Sequence, residues 1–337
     1  PYDVAGWTLP FNMGVTAQRV DEPFEAALEP AGEIRLPAPS PDRRQNSSFL
    51  YIAGKLAQGE SVRLTAGGEI AGQQSSGGWE LRRPRTALYL PHTGNMDTGW
   101  TQYVLDNYQV PYTLLRNEDL RSRDLTGSFD SILFASQPAT SILHGVRPDE
   151  GQAGRGGSLS VQQRPELTGG IGLDGLAALD RFVRNGGTLI AFDGATSLPI
   201  QFFPLPLRNH TNNSAYYCPG SIIRIQVDTA HPLAFGMPKE AFAFTSGGQA
   251  WEINLSADAN KGDRAVRSVA RYAPEGVLAS GWLSGERVVA GRHILLQAAH
   301  GKGSVIVFGF RPQFRAQSTG TFKFLLNAIY LASAKPL

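Results

Sequence analysis

Hydrophobic residues recur in two patterns that alternate from residue 85 onwards. RTALYLPH, FDSILFASQ and GGTLIAFDG, at residues 85–92, 129–137 and 186–194, are short apolar runs with a polar end, which is typical of buried parallel strands. MDTGWTQYVLDNY and GLAALDRFVRNGG, at residues 96–108 and 175–187, carry apolar residues at helical spacing. This alternation predicts an α/β domain with a doubly wound, mostly parallel sheet that helices cover on both faces.

The segments around these units predict further strands and a closing helix. PYTLLRNEDL, residues 111–120, predicts a strand, whereas the Gly-rich and aperiodic residues 141–168 predict a loop or insertion. After residue 198 the pattern predicts β-rich insertions, and residues 293–310 predict two strands joined by a tight turn. Residues 319–333 predict an amphipathic helix that buries one side.

The amino-terminal part of the chain has a different pattern. Residues 1–47 are rich in proline and poor in periodicity, which predicts a segment that wraps around a core formed elsewhere. Residues 48–82 predict a helix and two short strands, a small α+β appendage. We therefore divide the sequence into a linker and appendage, residues 1–82, and an α/β domain, residues 83–337. In the helix of residues 96–108 we expect Trp100, Val104 and Leu105 to face inward.

Composition and charge limit the kinds of molecule that the chain is expected to bind. The chain has 337 residues, of which 42% are hydrophobic, and this indicates a globular protein. Its net charge of +2 provides no strong field to attract nucleic acid or an anionic membrane. Cys218 is the single cysteine, which excludes an internal disulfide and any site built from several cysteines. We predict no nucleic-acid partner, no membrane partner, no metal and no cofactor for this segment.

Three segments carry a family resemblance. GGTLIAFDGATSL, PGSIIRIQVDTAHPLAFGMP and GKGSVIVFGFRPQFRAQSTGTFKFLLNAIY resemble the class I glutamine amidotransferase-like domain at the carboxyl end of some large bacterial zinc carboxypeptidase-like proteins. The opening PYDVAGWTLPFNMGV is similar to the segment that joins the peptidase domain to it. The resemblance implies a flavodoxin-like/glutamine amidotransferase-like fold, a periplasmic or extracellular location, and a partner in the peptidase domain of the parent chain. We interpret the sequence as a piece of a longer polypeptide.

The sequence lacks the residue pattern of a zinc carboxypeptidase site and also that of an amidotransferase site. A zinc carboxypeptidase site needs a His-x-x-Glu pair and a later histidine, and none of the six histidines has the acidic partner at that spacing. An amidotransferase needs a thiolate on the sharp turn between a strand and a helix, where this chain has Asp193 and Gly194. Cys218 precedes a Pro-Gly turn, so we interpret it as structural rather than reactive.

Polar residues follow three of the predicted strands, and the carboxyl ends of parallel strands converge on one crevice. We predict that they form a pocket for a small ligand with carboxylate or hydroxyl groups, which the arginine forks would bind. The alternative is that His92 and Asn95 cap the following helix and Asp193 caps its own turn. The candidate pocket residues are His92, Asn95, Asp193, Thr196, Arg311, Gln313 and Arg315.

Three functional hypotheses follow. The first is a non-catalytic accessory domain that stabilises or orients the peptidase domain or its substrate. The second is a carbohydrate- or peptide-binding module with its pocket at the strand ends, which exposed aromatic residues around the crevice would favour. The third is a hydrolase that uses Cys218, Ser136 or Ser197 with a neighbouring histidine.

Overall fold

The computed structural model describes residues 8–16, 18, 20–27, 30, 38–72, 77–145, 165–212, 214–254, 262 and 265–337. Its α-helices are α1 Leu9–Met13, α2 Ser47–Ala57, α3 Met96–Asn107, α4 Asn117–Ser122, α5 Ala139–His144, α6 Gly172–Arg184, α7 Ser197–Phe202, α8 Glu286–Val289 and α9 Phe322–Ala332. Its strands are β1 Val62–Leu64, β2 Ile70–Ala71, β3 Trp79–Leu81, β4 Thr86–Tyr89, β5 Tyr112–Leu115, β6 Ser131–Phe134, β7 Thr188–Phe192, β8 Leu207–Asn209, β9 Ser221–Val227, β10 Glu240–Thr245, β11 Trp251–Ile253, β12 Val266–Tyr272, β13 Leu278–Ser280, β14 His293–His300, β15 Gly303–Phe308 and β16 Lys335–Pro336.

Five parallel strands form the centre of the large sheet, in the order β5-β4-β6-β7-β15. In chain order this is the 2-1-3-4-5 arrangement of a flavodoxin-like sheet. The predicted α/β fold with a doubly wound parallel sheet is therefore confirmed. Because the winding direction reverses after β5, the switch point of the sheet lies between β4 and β6, and ligands of such folds bind outside the strand ends at that point.

Alternate residues of the parallel strands face opposite helical layers. Ile190 and Phe192 of β7 belong to the hydrophobic cluster that contains residues of α2, α3 and α9. Leu189 and Ala191 of the same strand belong to the cluster that contains residues of α4, α5 and α6. A strand buried on both faces needs apolar residues at every position, which explains why β7 reads as an unbroken apolar run.

The sheet continues as antiparallel structure beyond β15. β14 pairs with β15 and the order then runs through β12, β9 and β10, while β8, β11 and β13 attach at its sides. The tight turn predicted between the last two long strands is present, because His300 pairs with Gly303. The β-rich insertions predicted after residue 198 are thus part of the same sheet.

The appendage has its own sheet, in the order β16-β3-β1-β2. Its last strand comes from the carboxyl-terminal end of the chain, since Lys335 and Pro336 pair with β3. Phe49 and Val62 of the appendage lie in the same hydrophobic cluster as Ile190. The core therefore crosses the division that the sequence suggests at residue 82.

Three local predictions need correction. Residues 111–120 form β5 and then α4, because the Asp119 carboxylate accepts a hydrogen bond of 2.8 Å from the backbone N–H of Arg116 and starts a helix. Residues 141–168 are not wholly a loop: α5 extends through His144, a 3₁₀ turn covers Pro165–Leu167, and residues 146–164 lie outside the described residues. Trp100 is 38% exposed rather than inward, whereas Val104 and Leu105 are buried as predicted.

Gly236, in the α/β domain, lies against the backbone of Arg43, so a substitution there tests the contact between this domain and the amino-terminal linker. Its φ is +77° and an added Cβ would lie 2.0 Å from the Arg43 carbonyl oxygen, so Gly236→Ala is expected to lower the free energy of unfolding by about 2–4 kcal/mol. Gly54→Ala, in α2 with nothing near its Cβ position, is the matched control and should raise it by about 0.5–1 kcal/mol. Urea unfolding of both variants measures this. Equal stability of the two variants would contradict the close approach.

Candidate functional site

Four parallel strands deliver polar side chains to one edge of the sheet. Asn95 follows β4, Ser136 follows β6, Asp193 follows β7 and Arg311 follows β15. The side chains of Ser136 and Arg311 bind the Asp193 carboxylate, and the Asn95 side chain donates to the Ser136 backbone carbonyl. We call the residues Asn95, Asp97, Ser136, Asp193, Arg311 and Gln313 the strand-end network.

Asp193 is the centre of this network. It lies in the turn after β7, has a left-handed backbone conformation with φ of +46°, and its side chain is buried, with 4% of the residue exposed. Its Oδ2 accepts hydrogen bonds of 3.0 Å from Ser136 Oγ and 3.0 Å from Arg311 Nε. Burial raises the pKa of the Asp193 carboxyl, and the charge of Arg311 and the two hydrogen bonds oppose that rise.

Arg311 bridges two carboxylates. Its Nη1 lies 3.2 Å from Oδ2 of Asp97, in the first turn of α3, while its Nε binds Asp193. Burial raises the pKa of Asp97, and the charge of Arg311 partly opposes this. The backbone N–H of Arg311 donates to the Phe244 carbonyl at 3.2 Å, which fixes the start of this side chain against β10. One guanidinium therefore compensates two partly or fully buried acids.

Asn95 and Gln313 position the backbone around the network. Asn95 Oδ1 accepts the Thr98 N–H at 3.0 Å and caps α3, as the capping alternative predicted, while its Nδ2 donates to the Ser136 carbonyl at 3.0 Å. Gln313 is buried, and its Nε2 donates to Thr101 Oγ1 at 3.0 Å. These contacts hold the loop after β15 against α3.

The other three predicted pocket residues have local roles in the structure. Thr196 Oγ1 donates to the carbonyl of Asp193 at 2.5 Å, within the 3₁₀ turn Asp193–Thr196. His92 Nε2 lies 2.9 Å from Glu118 Oε2. Arg315 has a φ of +48° and its guanidinium carbon lies 5.2 Å from the centroid of the Phe314 ring.

Open space at the switch point is small. A cavity of about 110 Å³ lies beside the ends of β4 and β6, with Tyr89, His92 and Gln137 in its wall. Tyr89 donates to Asn117 Oδ1 at 2.6 Å within that wall. Of the seven predicted residues, His92 lines this cavity, whereas Asp193 and Arg311 bind each other beside it. The prediction of a ligand pocket built by all seven residues stays a prediction.

Three residues that take part in these contacts were not among the predicted pocket residues: Asp97, Thr101 and Ser136, of which Ser136 was named only as a possible hydrolase nucleophile. The rule that polar residues at strand ends converge applies to Ser136, which closes the apolar run of β6. Asp97 carries a weaker signal, because acids in the first turn of a helix are common for reasons of the helix dipole alone. Thr101 has no signal of its own, since only the fold brings it to Gln313.

The groups that a hydrolase would need are apart. Cys218 is 3% exposed, its Sγ lies 3.8 Å from the Thr245 carbonyl oxygen, and burial raises the pKa of its thiol. The ring nitrogens of five histidines bind elsewhere: His92 to Glu118, His210 to Glu252, His231 to the Leu233 N–H, His293 to Ser268 and His300 to Asp180. None of these five, within the described ranges, hydrogen-bonds Cys218, Ser136 or Ser197.

Metal-binding clusters and membrane-spanning helices are both absent from the described residues. No group of three or more His, Cys, Asp or Glu side chains in that part of the chain is arranged to hold a metal ion. No helix among the same residues has the length and apolar character needed to cross a bilayer.

The fold is similar to that of several solved structures. PurLQS from Thermotoga maritima is 13% identical, with a TM-score of 0.44 over 73% of this chain and 98% of that one. A protein described as part of a GMP synthase, from Thermoplasma acidophilum, is 13% identical, with a TM-score of 0.41 over 73% and 94%. A protein described as ThuA-like, from Bacteroides uniformis, is 12% identical, with a TM-score of 0.39 over 74% and 91%.

No family model and no curated protein matches the sequence. The order of the parallel strands shows a doubly wound, flavodoxin-like α/β fold. The likenesses to solved structures concern that fold and bring no activity to this chain.

Arg311→Met tests the strand-end network. The substitution leaves Asp193 buried without its cation, so we expect the free energy of unfolding to fall by about 3–5 kcal/mol in urea melts. Arg315→Met, in the same loop, is the control and should cost less than about 1 kcal/mol. Adding Asp193→Asn to Arg311→Met should recover part of the loss, because it removes the stranded charge. A loss below about 1 kcal/mol for Arg311→Met would show that the ion pairs do not stabilise the fold.

Proposed function

We propose that this chain is a non-catalytic accessory domain of a secreted zinc carboxypeptidase-like protein, in which it stabilises or orients the peptidase domain or its substrate. The evidence for a non-catalytic role comes from the turn after β7. In related hydrolases this turn presents the nucleophile to substrate. Here it presents a carboxylate that is buried and bound by Ser136 and Arg311.

A nucleophile at this turn would need access to substrate and a base within hydrogen-bonding distance. The Asp193 carboxylate faces the protein interior, and its partners hold it there. The only thiol of the chain lies in a different loop, where burial favours its protonated form. The turn after β7 is similar in position to the nucleophile turn of a hydrolase, but its Asp193 side chain is buried and bound within the protein. This supports a structural rather than a catalytic role.

The identity of the parent is supported by the sequence resemblance of residues 186–198, 219–238 and 301–330. On this proposal the partner is the peptidase domain of the same polypeptide, and the protein works in the periplasm or outside the cell. The shared core of appendage and α/β domain supports a rigid connection, since Phe49 and Leu81 pack in the cluster that also contains α9.

A second candidate function is a carbohydrate- or peptide-binding module. One observation favours it: Trp100 and Tyr103 are 38% and 54% exposed on α3, the helix whose first turn carries Asp97. Their ring centroids are 6.0 Å apart and their planes meet at 82°. Exposed aromatic pairs of this kind supply large contact area to peptides and sugar rings.

The accessory role is tested by comparing this chain with the full-length parent. We expect bound zinc and release of carboxyl-terminal residues from a peptide pool in the parent only, because this chain lacks the His-x-x-Glu pair that a zinc carboxypeptidase site needs. Deleting this segment from the parent should lower the melting temperature of the peptidase domain or raise its KM. Peptidase or amidase activity in this chain alone would contradict the proposal, and loss of that activity in Cys218→Ser would assign it to the thiol.

The binding candidate is tested with Trp100→Ala and Tyr103→Ala in titration calorimetry against mixed oligosaccharides and peptides. If α3 is the binding surface, each variant should weaken binding at least about tenfold, the effect of losing about 1.4 kcal/mol of aromatic contact. Trp282→Ala, which removes another exposed tryptophan, is the control and should bind as the wild type does. Equal loss in all three variants would argue against a site on α3.

A further inference from the structure

Lys323 is a buried cation at the start of the last helix. It is the second residue of α9 and only 9% of it is exposed. Among the described residues, no carboxylate or other acceptor lies within hydrogen-bonding distance of its ammonium group. Burial, with a smaller contribution from the charge of Arg43, lowers the pKa of this amine to about 8, and the charge of Asp42 opposes the change. Proteins rarely keep such a group unless something compensates its charge.

Lys323 lines a cleft of about 810 Å³, which lies between the amino-terminal segment around α1, the edge strand β10 with its neighbour β9, and the start of α9. This volume is within the range that small-molecule sites occupy. The cleft is distinct from the strand-end network, because none of that network's residues lines it. It is therefore a separate candidate site, independent of the function proposed above.

The walls of the cleft are partly aromatic. Phe11 and Phe242 stack with ring centroids 4.6 Å apart at an interplanar angle of 23°, and both line the cleft. Arg224 lies over the Phe242 ring at 6.0 Å and donates to the carbonyls of Gly276 and Leu278, which hold its guanidinium in place. An apolar or aromatic ligand body would be buried against these rings.

The charges around the cleft favour a single negative charge on the ligand. Arg44 and Arg224 also line the cleft, but both are exposed, and Asp42 binds Arg44 at 2.9 Å. Lys323 is therefore the buried cation among the described residues of the wall. Glu240 and Glu275 are exposed at the rim and would repel a dianion such as a phosphate monoester. A carboxylate fits one ammonium and carries one charge.

We propose that this cleft binds an organic monocarboxylate with an apolar body, that the ammonium of Lys323 binds the carboxylate, and that Phe11 and Phe242 contact the body. Only the protonated amine binds the anion, so affinity is lost as pH rises through the pKa of Lys323, and the ligand in turn raises that pKa. The charged groups that face Lys323 or the cleft from neighbouring segments are Arg43, Asp42, Arg44, Arg224, Glu240 and Glu275.

The test uses the whole chain and N-acetylphenylalanine, with its neutral amide N-acetylphenylalaninamide as the matched probe. Titration calorimetry at pH 7 should give binding of the acid at least about tenfold tighter than that of the amide. Between pH 7 and pH 9.5 the Kd of the acid should rise by about 30-fold, the ratio of protonated fractions for an amine with a pKa of about 8. The Kd of the amide should not change.

Lys323→Met keeps the length and apolar stem of the side chain and removes the charge. We expect it to abolish the preference for the acid and to leave the melting temperature unchanged or higher, because an uncompensated buried charge is removed. Lys302→Met, in the exposed turn between β14 and β15, is the control and should retain wild-type binding.

Equal affinity for acid and amide in the wild type, absence of binding by either probe, or retention of the preference in Lys323→Met would each overturn the proposal. Tighter binding of phenyl phosphate than of the acid would overturn the assignment to monocarboxylates. If Lys323→Met failed to fold, the comparison of acid with amide and its pH dependence in the wild type would still decide the question.

Discussion

Arg311 lies between Asp97 and Asp193, and the packing at the carboxyl edge of the sheet depends on this bridge. A carboxylate as buried as that of Asp193 is costly unless a cation and hydrogen bonds compensate it. Arg311 supplies the cation at 3.0 Å and Ser136 supplies a hydrogen bond at 3.0 Å. Because these residues follow β6, β7 and β15, and Asp97 belongs to α3, one set of contacts connects three strand ends and a helix.

The same bridge also supports the backbone conformation of the turn after β7. Asp193 has the positive φ that a sharp strand-to-helix turn requires, and few non-glycine residues adopt it without support. In a hydrolase, that conformation exposes a nucleophile to substrate. Here the ion pair with Arg311 holds the side chain against the neighbouring strand ends. Packing and charge therefore stabilise this conformation of Asp193.

Short-range sequence patterns were enough to predict the buried parallel strands and the tight turn near the end of the chain. Strands buried on both faces must be apolar at every position, so β4, β6 and β7 were identifiable, and the Gly-containing turn between β14 and β15 was identifiable from its own residues. The contact between Asp193 and Arg311 joins residues 118 positions apart, and no spacing rule connects them. The strand ends were predicted to converge, but whether they line a pocket or bind each other depends on side-chain partners that only the fold brings together.

A cation on a buried or half-buried side chain needs a partner for its charge, and Arg311 and Lys323 differ in whether the protein supplies one. Arg311 is half-buried and Lys323 is buried, and Arg311 has two carboxylates within 3.2 Å. Lys323 faces a cleft instead, and its amine has a lowered pKa of about 8 because burial disfavours its charge. Two acids, Glu240 and Glu275, line the same cleft. Both are exposed rather than packed against Lys323. On the proposal made above, the carboxylate of a ligand would compensate the charge of Lys323.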